Sequence, residues 1–136
     1  SQLDHPNIVH LHGACMTPPR LFYVMELCEM SLFHLLHQCR RCIATKARVR
    51  MALDISRSMA YLHSRDPPII HRDLKSLNLL LASDNVTVKL CDFGLVRTTV
   101  TAAGTPAYMA PELLQGRPFN KTVDVYAFGI LLWEVS

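Results

Sequence analysis

Along the 136-residue chain, the spacing of apolar positions switches between strand-like and helix-like periods. Ile8, Val9 and Leu11 follow a His-Pro-Asn turn and predict a short strand. Past the Pro18-Pro19 break, residues 21–27 form a nearly continuous apolar run, the pattern of a strand buried on both faces. The two would form one edge of a small sheet. Residues 32–38 turn helical. Thr45 is the expected N-cap of a longer helix, in which Val49, Ala52, Ile55, Met59 and Leu62 recur at three- and four-residue spacing to about Ser64. Asp66-Pro67-Pro68 stops it. Leu79-Leu80-Leu81 and residues 86–90 flank Ser83-Asp84-Asn85, which predicts a β-hairpin. A polar, threonine-rich loop is expected over residues 98–105, with Pro106 and Pro111 keeping the next stretch irregular. Residues 124–135 are apolar nearly all the way round, which predicts a helix in the middle of a larger core. No internal repeat is present.

Composition narrows the class. Half of the residues are hydrophobic and 18% are charged, which excludes a disordered tail and fits one cytosolic-style globular domain. The net charge of +3 is mild, and the basic residues Arg40, Arg41, Lys46, Arg48 and Arg50 read as a solvated helix face, not a nucleic-acid stripe. Five cysteines at irregular spacing do not make a secreted disulfide framework. No leader and no apolar run of about 20 residues is visible. The expectation is a soluble, cytoplasmic chain with no membrane insertion. It starts without Met and ends inside a helical pattern, so a segment of something longer is expected.

The chemistry concentrates between His71 and Asp92. Transfer of a phosphoryl group needs an in-line hydroxyl, positioned Mg²⁺ and positive charge where negative charge spreads. Asp73 and Asn78 lie five apart in a loop before the hairpin, with Lys75 between them. Because a hairpin returns the chain near its start, Asp92 at its far end can come within a metal's reach of Asn78. Both offer the hard oxygens that Mg²⁺ accepts.

Together these residues resemble the eukaryotic protein kinase family. His71-Arg72-Asp73-Leu74-Lys75-Ser76-Leu77-Asn78 is similar to its catalytic loop, Asp92-Phe93-Gly94 to its metal-binding triplet, and Ala110-Pro111-Glu112 to the end of its activation segment. All three in order are highly specific. The residues Leu3 to Val9, the Pro68-Ile69-Ile70 lead-in and the Asp124-Val125-Tyr126-Ala127-Phe128-Gly129 stretch most resemble the tyrosine-kinase-like group, near mixed-lineage and Raf-type kinases. Lys75, two residues after Asp73, and Gly104-Thr105 match the Ser/Thr-directed pattern.

The resemblance implies a partial kinase-like α+β fold, with small-lobe strands and hinge in residues 1–28 and the large lobe in 29–136. It implies ATP and Mg²⁺ as co-substrate and cofactor, protein Ser/Thr hydroxyls as acceptors, and an upstream kinase or scaffold as a further partner. Asp73 would orient the hydroxyl and take its proton, Lys75 would neutralise the phosphate, and Asn78 and Asp92 would hold Mg²⁺. Met25 matches the gatekeeper, Glu26, Leu27 and Cys28 the hinge whose backbone pairs with adenine, and Leu80 the residue beneath the ring. Arg72 and Arg97 match a pocket for an activation-loop phosphate, making Thr98, Thr99 and Thr101 candidate phosphosites; ordinary loop polarity is the plainer reading of each. Leu11, His71, Phe93 and Asp124 match a packed spine joining the lobes.

The family's Gly-rich loop, its nucleotide-gripping lysine and the helix glutamate paired with it are not in this chain, nor is the arginine partner of Glu112. The segment alone is therefore not expected to phosphorylate anything. A pseudokinase, or a truncated kinase-like binding module, is the alternative. Leu77 stands where basic-directed kinases often carry an acid. His34, His37, Cys39 and Cys42 are Zn²⁺-type side chains, but nine residues are crowded for four tetrahedral ligands, and a helix end with a polar loop explains them too. Cys91 borders the expected ATP pocket, where burial beside carboxylates should raise its pKa.

Overall fold

Leu79 and Leu81 point one way from their strand and Leu80 the other, and the fold is organised by that alternation. The computed structural model describes residues 3–39, 42–92 and 105–136. Arg40, Arg41, Phe93, Gly94, Arg97, Thr98, Thr99, Thr101 and Gly104 lie outside the described residues. In chain order the elements are β1 (Leu11–Thr17), β2 (Arg20–Met25), β3 (Met30–Ser31), α1 (Leu32–His37), α2 (Thr45–His63), β4 (Leu79–Leu81), β5 (Val88–Leu90), α3 (Pro111–Leu114) and α4 (Thr122–Val135). Two 3₁₀ turns, Ser76–Asn78 and Pro106–Tyr108, complete it.

β1 and β2 form an antiparallel pair, and β3, β4 and β5 a three-stranded antiparallel sheet in that order. Ile8 and Val9 do not start the first strand, contrary to the sequence expectation. They run beside β5 in a parallel bridge, with Val9 N donating to Leu90 O at 2.9 Å and Leu90 N to Asn7 O at 2.8 Å. β2 also departs from expectation. Its six residues are exposed on both faces, because a two-stranded ribbon has no layer packed over it among the described residues.

The core lies where α1, α2 and α4 meet the inner face of the small sheet. Leu32, Met51, Ile55, Leu62, Leu74, Leu79, Leu81, Leu90 and Leu131 are all at most 1% exposed. The buried stripe of α2 is Met51, Ile55, Ser58, Met59 and Leu62, and Val49 faces solvent. Asp54 sits in that stripe. Its carboxylate accepts the Val88 amide at 3.2 Å and pairs with Arg50 and Arg57, which lets a buried acid anchor the hairpin.

Helix starts show where tertiary packing overrides local signals. Ser31 caps α1 as such residues do, its hydroxyl accepting His34 N at 3.1 Å. Thr45 does not cap α2. The N-cap is Ala44, whose carbonyl takes the Ala47 and Arg48 amides, while Arg48 Nε donates to Ile43 O. In the hairpin turn the Asp84 side chain takes the Val86 and Thr87 amides, so β5 begins at Val88, two residues later than expected. Pro106 and Pro111 each start a short helical turn, the position where a missing N–H costs nothing. α4 is apolar all round by composition but buries one stripe, Val123, Ala127, Leu131 and Val135. Trp133, Val125 and Leu132 on its other side are exposed.

Candidate active site

Asp124, in the first turn of α4 and 2% exposed, holds the loop that carries the candidate base. One carboxylate oxygen accepts His71 N at 2.9 Å and lies 2.8 Å from His63 Nε2, and the other accepts Arg72 N at 2.9 Å. Arg72 sits in the left-handed region at φ 67°, a conformation that costs a non-glycine residue about 1–2 kcal/mol. The two bonds from Asp124 hold it there. The His71 ring then links the loop to the end of β5. Its Nδ1 accepts Asp73 N at 3.2 Å and its Nε2 faces Cys91 O at 3.0 Å, which places the ring proton on Nε2.

The loop so held brings the expected residues together. Asn78 Nδ2 donates to Asp73 O at 2.8 Å and to Asp73 Oδ2 at 3.2 Å. Lys75 Nζ lies 3.2 Å from the same Oδ2 and donates to Thr105 Oγ1 at 3.0 Å. Asp73, Thr105, Arg72 and Tyr108 line one cleft. Both side-chain N–H bonds of Asn78 thus point at Asp73, so its Oδ1 is turned away and makes no hydrogen bond among the described residues. Cys91 N donates to Asn78 O at 2.9 Å, which sets Asp92 one residue from that contact. Asp92 is also left-handed, at φ 63°, and its carboxylate has no partner among the described residues. Among the described residues neither Asn78 Oδ1 nor the Asp92 carboxylate has a hydrogen-bond partner, and both are hard oxygen donors of the type that could hold a divalent cation such as Mg²⁺.

On the other side of β5, Glu26 ties down the expected hinge. Its carboxylate takes both contacts from Lys89 Nζ, at 2.8 and 2.7 Å, and accepts His10 N at 2.7 Å, while Glu26 N donates to His10 O. Burial, the largest single influence, pushes the Glu26 carboxyl up, but the Lys89 and His10 hydrogen bonds and charges together hold it below its ordinary value. Met25 is half exposed at the end of β2, opposite Leu11 in β1. Leu80 is partly buried, on the face of β4 opposite Leu79 and Leu81. Burial raises the Cys28 thiol, assisted by the Glu26 charge, and pushes Cys91 up to about 11.

Other expected residues stand elsewhere. The Arg72 guanidinium rests on the Phe119 ring, 5.1 Å from its centroid. Glu112 is in the first turn of α3, with no ion pair among the described residues. No group of three His, Cys, Asp or Glu side chains among the described residues is placed to hold a metal, and His37 meets Glu134 instead of His34, Cys39 or Cys42. Sequence reasoning missed a polar cluster beside the loop: Ser76, Tyr108, Glu134 and His37. One signal was available, an acid near the end of an otherwise apolar helix.

The model of the protein kinase domain matches residues 1–136. The chain belongs to the protein kinase family. It is similar to the serine/threonine-protein kinase CTR1 of Arabidopsis thaliana, 48% identical over 99% of this chain and 18% of the relative. It is 44% identical to mitogen-activated protein kinase kinase kinase 10 of Homo sapiens, over 98% of this chain and 15% of that protein. To the dual specificity protein kinase shkA of Dictyostelium discoideum it is also 44% identical, over 99% of this chain and 28% of that one. The chain thus spans less than a third of each relative's length. What is described is part of a kinase-like α+β fold, from a family that uses ATP and typically Mg²⁺. Among the described residues no helix is long and apolar enough to cross a membrane.

Proposed function

We propose that this chain is the middle of a cytoplasmic Ser/Thr protein kinase domain of the tyrosine-kinase-like group, with strands and hinge of the small lobe in residues 1–28 and the large lobe in 29–136. The parent domain transfers the ATP γ-phosphoryl group to Ser or Thr hydroxyls of protein substrates. The observation that carries this reading is the Lys75 ammonium, held between Asp73 Oδ2 and Thr105 Oγ1.

In this reading Asp73 accepts a hydrogen bond from the substrate hydroxyl, aims its oxygen along the transfer line and receives its proton as the new O–P bond forms and the γ-phosphorus bond to the bridging oxygen breaks, with ADP leaving. Asn78 holds the Asp73 carboxylate by its amide nitrogen, so the base is aimed before substrate arrives. Lys75 is placed to take up charge on the transferring phosphoryl group. Asn78 Oδ1 and Asp92 would hold Mg²⁺, which supplies charge neutralisation on the phosphates. The backbone of Glu26, Leu27 and Cys28 would take adenine, with Met25 and Leu80 against the ring. Thr98, Thr99 or Thr101, once phosphorylated by an upstream kinase, would draw Arg72 away from Phe119 to pair with the phosphate beside Arg97. By the family pattern, Leu11, His71, Phe93 and Asp124 would make up the spine joining the lobes, with Phe93 outside the described residues.

The test is phosphotransfer by the full kinase domain containing this segment, with Ser, Thr and Tyr acceptor peptides. Asp73→Asn is expected to lower kcat by about a hundredfold to ten-thousandfold with ATP binding kept. Equal activity of the variant and the parent would sink the reading. Transfer to the Tyr peptide alone would refute the Ser/Thr assignment.

A further inference from the structure

α2 carries its charges in an arrangement that does not help the helix. Lys46, Arg50, Leu53 and Arg57 follow one another at i, i+4, i+7 and i+11, a single line down its outer face, and all four are exposed. Exposed helix faces are stabilised by acid–base pairs one turn apart, and like charges at that spacing are unfavourable. α2 has no exposed acid, since its one carboxylate, Asp54, is buried. Lys46 and Arg50 are like charges one turn apart, and Lys46 stands in the first turn, where the helix dipole favours an acid. Lys46 has no hydrogen bond or ion pair among the described residues.

The two arginines are held in place. Arg50 Nε donates to Asp54 Oδ1 at 3.2 Å, and Arg57 Nη1 lies 3.6 Å from the same oxygen. Asp54 is itself fixed through Oδ2 to the Val88 amide. Both arginine side chains remain more than half exposed, which leaves each with N–H donors for a second carboxylate. One negative charge among three positive ones leaves the line cationic. Within it Leu53, 46% exposed, is an apolar step between cations. From Lys46 to Arg57 the line runs about 16 Å, which an extended peptide covers with about five residues. Alternate side chains of such a peptide share a face, so acid, apolar, acid at every second position matches cation, leucine, cation. The main apolar stripe of α2 is turned into the core, so this face lacks the broad apolar surface of a membrane-lying helix.

We propose that the outer face of α2, formed by Lys46, Arg50, Leu53 and Arg57, docks an extended acidic segment of a protein partner, with carboxylates on the cations and an apolar side chain seated on Leu53. The charge is complementary, the two guanidiniums are in place before the partner arrives, and Leu53 sets the register.

The experiment is fluorescence polarisation of the full kinase domain with a fluorescein-labelled peptide, Glu-Asp-Leu-Asp-Glu, and with the same peptide carrying Ala for Leu. Lys46→Glu is expected to weaken binding of the leucine peptide about tenfold, because it sets like charges opposite one another. Leu53→Ser should weaken it about fivefold and bind the two peptides alike, whereas the parent prefers leucine by about the same factor. Binding should fall as salt is raised. The Tm of Lys46→Glu should rise while its binding falls, since the new acid suits the first turn and pairs with Arg50. No binding at low salt, or equal binding of both peptides by the parent, would overturn the proposal. A Lys46→Glu domain that melts lower would show that the lysine serves the helix, and that too would overturn it. Tighter binding to phosphatidylserine vesicles than to the peptide, lost in the same variants, would make the face a membrane contact instead. Binding is read without phosphotransfer, so failure of the kinase reading and failure of this docking face are separate results.

Discussion

Cys91 is the residue whose chemistry the surroundings alter most. Its thiol is pushed from 9.0 to about 11, first by burial and then by the charge of Asp92. Two units mean roughly a hundredfold less thiolate than an ordinary thiol at neutral pH, and the thiolate is what reacts. Iodoacetamide is therefore expected to label exposed Cys42 well before Cys91, with the Cys91 rate climbing about tenfold per pH unit up to the region of 11. Mass spectrometry of the digested protein checks the order. Cys91 labelling as fast as Cys42 at neutral pH would show the site to be open. At this scale the sequence was informative wherever chemistry dictates residue type: Asp73, Lys75 and Asn78 converge as their spacing implied. For Glu134 it offered only an acid in an apolar helix, and it did not point to Ser76, because a buried hydrogen bond between an acid in one helix and a serine 58 residues away leaves no local pattern.

Elements are held in place by two acids that behave differently. Asp124 belongs to the inside of the molecule. Asp124→Ala strips the acceptor from the His71 and Arg72 amides and from His63, leaving buried donors unpaired. A loss of about 3–5 kcal/mol in denaturant unfolding is expected, with Asp124→Asn milder because it keeps one oxygen. Similar costs for both variants would mean that these bonds do not hold the loop. Glu26 is nearer the surface and titrates. Its carboxyl is depressed in the folded state, so its pairing with Lys89 stabilises above the ordinary carboxylate value of 4.5 and is lost as pH falls through the lower folded value. Lys89→Met should thus cost about 1 kcal/mol at neutral pH, and the gap from the parent should close on acidification below 4.5. A gap that persists there would put the effect down to packing. The types of elements were readable from periodicity, and so were the starts of α1 and β4, but not the cap of α2 or the start of β5. Thr45 looks like a cap and is not one, since Arg48 and Ile43 settle the entry to α2 through contacts that no window of local sequence contains.

On the scale of the whole chain, the unsettled quantity is what covers the apolar surface. Leu21, Phe22, Tyr23, Val24 and Met25 are each about half exposed or more, on both faces of β2, and Trp133 on α4 is 78% exposed. A continuous apolar run reads as a buried strand only if another layer is supplied, and nothing in the run says from where. A patch of this kind is an interaction surface or an aggregation hazard. Residues 1–136 expressed alone are therefore expected to self-associate and bind a hydrophobic dye, and Phe22→Lys to reduce both. Trp133 is the chain's one tryptophan, which makes the second surface directly readable. In the isolated chain its fluorescence should be quenched freely by iodide. In the full kinase domain, if further chain packs over this side of α4, quenching should fall severalfold while the Phe22→Lys variant leaves it unchanged. Equal quenching in both would mean that the outer face of α4 is a true surface, with Leu132 and Val125 open to partners outside the domain.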